Sequence, residues 1–229
     1  MATSRFGWTI CAALLFPALI NAAPVPAPRP PQPLADDVVR AWEKGGAEAG
    51  WMSVSESGKI EFRRGKHGTA GEIPSFRLTT PVLDSLNEFP APEQPFGLCL
   101  DRAVGPDLRP LARLKTLHTL DLSSWRQKKD ARRGEGQGLD LTPLTELADL
   151  RNLSLSSAQL RDEDLKPLRL LPRLRVLDLG INDISPKSLE PLAVLTDLQA
   201  LCLGTTGVGD GGTSPAWRTC ASSTCATHC

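Results

Sequence analysis

The sequence has little of what proteins usually employ for tight binding or catalysis. It lacks tyrosine, aromatic residues make up 5% of its 229 residues, and histidine occurs three times. Its 26 basic and 26 acidic side chains balance, so net charge gives no reason to expect a nucleic acid as partner. Strong interfaces depend on tyrosine, tryptophan and arginine, so an aromatic-rich recognition surface is not expected either.

The groups that could carry catalysis are separated along the chain. His67 lies in a turn rich in Gly and Lys, His118 at the start of a predicted strand, and His228 in the tail. Ser154 has no neighbouring base to activate it as a nucleophile. The Gly-x-Gly-x-x-Gly pattern at 207–212 has the spacing of a dinucleotide-binding loop, but no βαβ unit surrounds it. We therefore predict no enzyme and no cofactor.

The chain begins with a segment typical of a secretory signal peptide of 22 residues. Arg5 supplies the positive charge, 6–20 is an apolar run, and 21–23 supplies small residues for cleavage. We expect cleavage after Ala22, because Pro24 disfavours a cut directly before it. The run is shorter than the roughly 20 apolar residues of a membrane span, although an uncleaved anchor is the alternative. The sequence predicts an exported protein of the periplasm, cell envelope or extracellular space, without a membrane span after cleavage.

From residue 96 to 212, leucine recurs with a fixed period. The clearest unit starts at Leu171, and Leu150, Leu174 and Leu198 are each 24 residues apart. The two leucines of each L-x-L pair point to one face of a strand, because side chains alternate along strands. Leucines three residues apart share one side of a short helical return. Each unit buries its leucines only against its neighbours, so the units must stack.

This pattern resembles the leucine-rich-repeat family, in the form with repeats of about 24 residues. The resemblance covers about half of the chain. It implies an α/β fold: a solenoid of about five repeats with a curved parallel sheet and short helical returns. Trp125 and Ala158 depart from the family pattern, since they stand where Asn182 occurs in the later unit. Those two loops lack the hydrogen bonds that an Asn side chain gives the loop backbone.

Two segments separate the signal from the repeats. Residues 23–34 are about half proline, which favours an extended spacer over a packed core. Residues 35–95 contain no repeat and are predicted to form a small α+β cap, which a solenoid needs to cover its first leucine layer. The predicted elements of this cap are a helix from Asp36 to about Ala49, strands at 51–54 and 59–64, and a short helix from Pro81.

The second repeat is about nine residues longer than a regular unit, and its insert occupies 125–138. Insertions in a solenoid lie in loops on one side of the stack. This insert is basic and rich in glycine. It is a candidate contact for an envelope polysaccharide, an acidic protein or lipid head groups, and a solvated loop without a partner is the alternative. The candidate residues are Trp125, Arg126, Lys128, Lys129, Arg132 and Arg133.

The concave sheet is a weaker candidate for binding. The residues that flank the inward leucines are small and almost uncharged, and they include none of the usual interface anchors. Asp121, Ser154 and Asp178 occupy corresponding positions on successive strands and are the polar candidates there. At about 4.8 Å per strand, the two aspartates lie roughly 10 Å apart.

Five cysteines remain after the signal, and none is predicted to form a metal site. Cys99 and Cys202 fall on the first and fifth strands, roughly 19 Å apart, whereas a disulfide requires Cα atoms within about 7 Å. The other three lie in the tail with His228, and their spacing is not one that zinc sites usually have.

The tail, 213–229, differs from everything before it. It contains no leucine, isoleucine or valine. If cytosine occupies selected wobble positions, a shifted reading frame gives leucine codons spaced three, three and two apart, which is the repeat signature. We therefore expect the tail to be disordered or the product of a frameshift in a gene that encodes further repeats.

The sequence as a whole predicts a non-catalytic scaffold that binds a protein or an envelope glycan outside the cytoplasm. This function follows from the family resemblance. The alternative is a structural, envelope-associated repeat protein without a discrete ligand.

Overall fold

The computed structural model of the protein describes residues 31–78, 84–101, 104–105, 108–127, 139–204 and 206. The predicted signal peptide, most of the spacer, most of the insert and the predicted tail lie outside the described residues. None of the helices in the described ranges is long and apolar enough to cross a membrane.

The described elements are one α-helix, five 3₁₀ helices (η) and ten strands. In chain order they are α1 (Asp36–Lys44), β1 (Ala47–Val54), β2 (Ile60–Arg64), β3 (Ile73–Leu78), η1 (Asp84–Glu88), β4 (Phe96–Cys99), β5 (Val104–Gly105), η2 (Arg109–Arg113), β6 (Leu117–Asp121), β7 (Arg126–Gln127), η3 (Thr142–Glu146), β8 (Asn152–Ser154), η4 (Asp162–Leu170), β9 (Val176–Asp178), η5 (Pro186–Val194) and β10 (Ala200–Cys202). Eight strands form one sheet in the order β10-β9-β8-β6-β4-β3-β1-β2, and β5 pairs with β7.

Five strands of this sheet, β4, β6, β8, β9 and β10, carry the repeat. They are parallel, and their registers align the strand leucines, so that Leu120 faces Leu153 and Leu153 faces Leu177. These three leucines are fully buried. A 3₁₀ helix follows each of β4, β6, β8 and β9, and its leucines pack on the same core. The described residues therefore form a leucine-rich-repeat solenoid with five repeat strands and short helical returns, as the spacing predicts.

Backbone hydrogen bonds continue from one repeat to the next beyond the strands. The N–H groups of Ser124, Ser157 and Ile181 donate to carbonyl oxygens of the following repeat at 2.7–2.8 Å. All three residues adopt positive φ, between 55° and 57°. This turn aims the peptide N–H along the solenoid axis, and its recurrence explains why the loops after successive strands stack.

The N-terminal cap extends the repeat sheet instead of packing as a separate body. β3 pairs in parallel with β4, and β1 pairs antiparallel with both β3 and β2. The predicted helix to Ala49 is too long, because α1 ends at Lys44 and Gly46 follows at a φ of 89°. Residues 47–50 form the first half of β1 instead of the end of the helix. The strand β3 was not predicted.

Most of the buried aromatic rings meet where the cap joins the first repeat. The Trp42 ring stacks on Phe76, with ring centroids 4.3 Å apart, and also contacts Phe89 and Phe96. The Trp42 Nε1–H donates to the Pro90 carbonyl at 2.9 Å. This cluster replaces the leucine layer that a preceding repeat would supply.

Candidate functional site

The concave face of the sheet is crossed by part of the protein itself. The sheet curls so that the turn between β1 and β2, residues 55–59, reaches β9 and β10. The Cys202 thiol donates to the Ser57 carbonyl at 3.0 Å. A Cβ atom on Gly58 would lie 3.1 Å from Cys202 Sγ and 3.4 Å from Ala200 Cβ. We call residues 54–60 the hairpin tip, and it covers the far end of the concave sheet.

This contact explains why the concave residues are so small. Gly97 faces β1 closely, since a Cβ there would lie 2.7 Å from Met52 Sδ. Ala200 and Val176 lie beneath Gly58 in the same way. Bulky residues at these positions would push the cap away from the sheet. The absence of interface anchors noted in the sequence therefore reflects packing within the chain.

Two of the three polar residues predicted on the concave face are used internally. Asp121 is 8% exposed, and its Oδ1 accepts the Ser123 N–H at 2.9 Å. Burial raises the pKa of Asp121. Ser154 is 2% exposed, and its hydroxyl lies 2.9 Å from the Ser123 hydroxyl. Asp121 and Ser154 thus stabilise the ends of their strands and offer little to a partner.

Asp178 is the third predicted residue and is only partly buried. Its Oδ1 accepts the Gly180 N–H at 2.9 Å, so it also closes the turn after its strand. Burial raises the pKa of its carboxyl, and the charge of Lys59 on the hairpin tip partly opposes that change. Asp178 therefore remains a candidate contact beside the hairpin tip.

The prediction that Trp125 offers its ring to a partner is wrong. The side chain has no exposed surface and belongs to the leucine core. It occupies the position that Asn182 takes in a later repeat, where the Asn182 amide donates to the Leu155 and Leu179 carbonyls and accepts the Leu160 N–H. Trp125 fills this space with an apolar ring, and its Nε1–H has no hydrogen-bond partner among the described residues.

The remaining insert residues are only partly described. The backbone of Arg126 forms β7 and pairs with β5, which anchors the start of the insert to the preceding repeat. Lys128, Lys129, Arg132 and Arg133 lie outside the described residues. Their predicted role in binding stays a proposal.

A cleft opens between the hairpin tip and the beginnings of the repeat strands. It has a volume of about 410 Å³, within the range of small-ligand pockets. On the cap side its walls include Val54, Glu56 and Ile73, and on the sheet side they include Val176 and Ala200. The cleft is thus partly aliphatic, and its charged residues come mainly from one row on the sheet.

That row consists of His118, Arg151, Arg175 and Gln199, which we call the basic row. They stand at the same repeat position, and their backbones are linked directly. The Arg151 N–H donates to the His118 carbonyl at 2.8 Å, the Arg175 N–H to Arg151 at 2.7 Å, and the Gln199 N–H to Arg175 at 2.7 Å. All four line the cleft.

The two arginines of the basic row have no anionic partner within the described part of the chain. Other surface arginines do have one: Arg77 bonds Asp101, Arg63 bonds Glu72, and Arg173 bonds Asp149. Arg151 and Arg175 form no hydrogen bond or ion pair through their side chains with any described residue. Arginines on adjacent strands repel each other, so the cleft presents unbalanced positive charge.

The positive charge of the cleft affects the pKa of His118. Burial lowers its pKa below the ordinary 6.5, and the charge of Arg151 lowers it further, with smaller contributions from Arg173 and Arg175. Asp149 acts in the opposite direction. His118 is therefore neutral at pH 7, and the cleft favours an anion over a cation.

The other chemically reactive side chains that the structure describes do not form a second site. Cys99 and Cys202 are buried and form no disulfide with each other, as their positions on distant strands predict. Burial raises the pKa of Cys99, which makes it a poor nucleophile. Within the described ranges, no group of three or more His, Cys, Asp or Glu side chains could hold a metal ion.

The sequence contained a signal for the basic row that its leucine pattern obscured. Arg151 and Arg175 are separated by the 24-residue period, so any stack of these repeats places them side by side. The residues chosen from the leucine pattern as facing the concave side are Thr119, Asn152 and Val176. Each of them comes one position after a member of the basic row. The row becomes a site only because the hairpin tip closes over it, and that contact has no local sequence signature.

Comparison with known proteins finds limited similarity. No protein-family model matches the chain, and no curated protein is similar to it. Among solved structures, the chain is similar to internalin C2 from Listeria monocytogenes, with 28% identity over 58% of this chain and 52% of that one, and a TM-score of 0.42. It is also similar to the internalin inlF from the same organism, with 23% identity, 50% and 43% coverage, and a TM-score of 0.26. The chain thus spans about half the length of these proteins.

Proposed function

We propose that this protein is a non-catalytic scaffold that binds a partner protein outside the cytoplasm, with an envelope glycan as the second candidate partner. The observation that carries the proposal is the cleft beneath the hairpin tip, where two arginines that pair with no described carboxylate lie side by side. A cleft that carries unpaired charge of one sign attracts a partner of the opposite charge and increases its rate of association.

A second surface supports the same function. The insert contributes Arg126, Lys128, Lys129, Arg132 and Arg133 to a single loop, and a basic loop attracts anionic partners over a distance set by ionic strength. The two surfaces can be distinguished by neutralising them separately.

Three variants of the full chain test the proposal. The cleft variant carries Arg151→Gln and Arg175→Gln. The insert variant carries Lys128→Gln, Lys129→Gln, Arg132→Gln and Arg133→Gln. The control variant carries Arg169→Gln and Lys187→Gln, which remove two exposed charges from η4 and η5. Each variant is immobilised and exposed to cell-envelope extract, and any retained partner is then purified and titrated against all variants.

We expect one purified partner to bind the original chain and the control variant equally. Its affinity for the cleft variant or the insert variant should fall by at least about tenfold, since charge-assisted contacts are lost. If no partner binds, or if neither neutralised surface matters, the proposal fails, and a structural role in the envelope becomes the better account.

A further inference from the structure

We infer that the cleft binds a short acidic peptide segment of a partner protein, extended across the basic row. This inference rests on the proposed binding role and specifies the chemistry that the site recognises. The geometry of the basic row, the composition of the cleft walls and the length of the cleft each contribute a separate argument.

The basic row fixes the sign of the ligand. Arg151 and Arg175 directly precede β8 and β9, and the Arg175 N–H donates to the Arg151 carbonyl at 2.7 Å, so the two Cα atoms are separated by about one strand spacing of 4.8 Å. A guanidinium group binds a carboxylate through two parallel N–H donors. Two of them in adjacent positions can hold two carboxylates, or share one, and either arrangement removes the repulsion between them.

The walls favour carboxylates over more highly charged anions. Val54 and Ile73 from the cap and Val176 from the sheet give the cleft an aliphatic side. Glu56 on the hairpin tip adds negative charge opposite the basic row, which weakens the binding of a doubly charged phosphate more than that of a carboxylate. An acidic residue flanked by small apolar residues suits such a lining.

The length of the cleft points to a peptide. The basic row runs across β6, β8, β9 and β10, which is three strand spacings or roughly 14 Å. Four residues of extended chain, at about 3.3 Å each, cover that distance. A free acetate or phosphate ion held by the two central arginines would leave both ends of the row without a contact. In an extended segment, alternate residues point the same way, so two acidic residues separated by one residue can both face the arginines.

The pKa of His118 depends on the charges around it, so it can report the binding of an anion to the basic row. Arg151 and Arg175 face it from the sheet, the ion-paired Arg173 and Asp149 lie on the adjoining loops, and Glu56 lines the cleft from the hairpin tip. A carboxylate bound to the arginines offsets their charge and raises the pKa of His118. Binding should therefore tighten as the pH falls through the pKa of His118, because the protonated imidazole adds a further positive charge.

The test uses nuclear magnetic resonance of the histidine rings in the full chain, with the His118 signal assigned from a His118→Asn variant. The probes are the blocked peptide Ala-Glu-Ala-Glu-Ala, the same peptide with Gln for Glu, and inorganic phosphate. The cleft variant is compared with the control variant, which has lost the same net charge from the returns. The His118 signal also shows whether each variant is folded.

The expected result is that the acidic peptide shifts the His118 signal and raises its pKa in the original chain and the control variant. The cleft variant should bind the peptide at least about tenfold more weakly. Equal binding of the Gln peptide, or undiminished binding by the cleft variant, would overturn the inference. Tighter binding of phosphate than of the acidic peptide would overturn the assignment to a peptide carboxylate.

Failure of this inference can be told apart from failure of the proposed function. A partner protein that the cleft variant retains as well as the original chain would leave the binding role intact and overturn the assignment of the cleft. If no partner protein is found while the acidic peptide binds as expected, the proposed function fails, and the cleft is shown to bind acidic peptides by itself.

Discussion

Ile181 occupies a backbone conformation that its side chain disfavours. Its φ is 55°, and β-branched residues are the least suited to this left-handed region. The residue is tolerated because its N–H donates to the Gly204 carbonyl at 2.8 Å, which links two repeats. Ser124 and Ser157 take the same conformation in earlier repeats at lower cost, since their side chains are small.

We expect Ile181→Asn to raise the free energy of unfolding by about 1 kcal/mol, because Asn adopts positive φ more readily. Little burial is lost, since Ile181 is 59% exposed. Val194→Asn is the matched control: Val194 is 63% exposed at the end of η5, and its change should stay within about 0.5 kcal/mol. Urea denaturation measures both variants, and an equal loss of stability in the two would contradict the strain argument.

Trp125 shows how a residue can satisfy packing while leaving a polar group unbonded. We expect Trp125→Phe to lower the free energy of unfolding less than Trp42→Phe does, because Trp42 donates to Pro90 and Trp125 donates to no described residue. The difference should be about 0.5–1.5 kcal/mol, the usual net contribution of one hydrogen bond, because Pro90 is exposed and its carbonyl can bind water instead. Thermal and urea unfolding of the two variants test this expectation, which would be wrong if Trp125→Phe proved the more damaging change.

At the scale of elements, the hairpin tip is the part that turns a plain solenoid into a molecule with a cleft. It belongs to the cap, yet its contacts are with the last two described repeat strands. The segment Ser55–Gly58 closes through a backbone hydrogen bond of 2.9 Å, and Gly58 has a φ of 81°. A glycine is needed here both for that conformation and for close approach to Cys202.

We expect Gly58→Leu to lift the hairpin tip and expose the Cys202 thiol. Gly71→Leu is the matched control, because Gly71 has a similar φ of 90° but faces open space. Alkylation of Cys202, followed by mass spectrometry of its peptide, should be faster by about tenfold or more in Gly58→Leu, since local opening controls access to buried groups. Alkylation of Cys99 should not change. The same rate at Cys202 in both variants would mean that the hairpin tip does not protect this strand.

At the scale of the whole molecule, stability comes from a continuous leucine core that runs from the aromatic cluster of the cap through every return. Trp125, at the start of the insert, belongs to this core, but a regular unit is about nine residues shorter than the second repeat, so we expect the core not to need the residues after Gln127. Gln127 must be kept, however, because its backbone pairs with Gly105.

We therefore expect deletion of residues 128–137 to leave the unfolding midpoint almost unchanged. Leu177→Ala should cost about 2–5 kcal/mol, because Leu177 is fully buried between two repeat strands and its truncation leaves a cavity. Calorimetry of both variants gives the comparison. An insert deletion as damaging as Leu177→Ala would show that the insert is part of the core.

The sequence by itself determined the repeat fold, because each leucine position follows from a local period that only stacking can satisfy. It also determined that Cys99 and Cys202 cannot pair, since strand spacing sets their separation. Local pattern was less reliable in the cap. There β3 was missed and α1 was predicted too long, because a strand that pairs with a repeat far along the chain has no period of its own.

Only the tertiary structure decided which surfaces are available. Trp125, Asp121 and Ser154 looked accessible in the sequence but are held within the core or the strand ends. Exposure depends on what packs from elsewhere in the chain, and residues near position 57 cover a sheet formed more than a hundred residues later. The same contact places Arg151 and Arg175 in a cleft. Their 24-residue separation predicts that they lie side by side, but it does not predict that another part of the chain covers them.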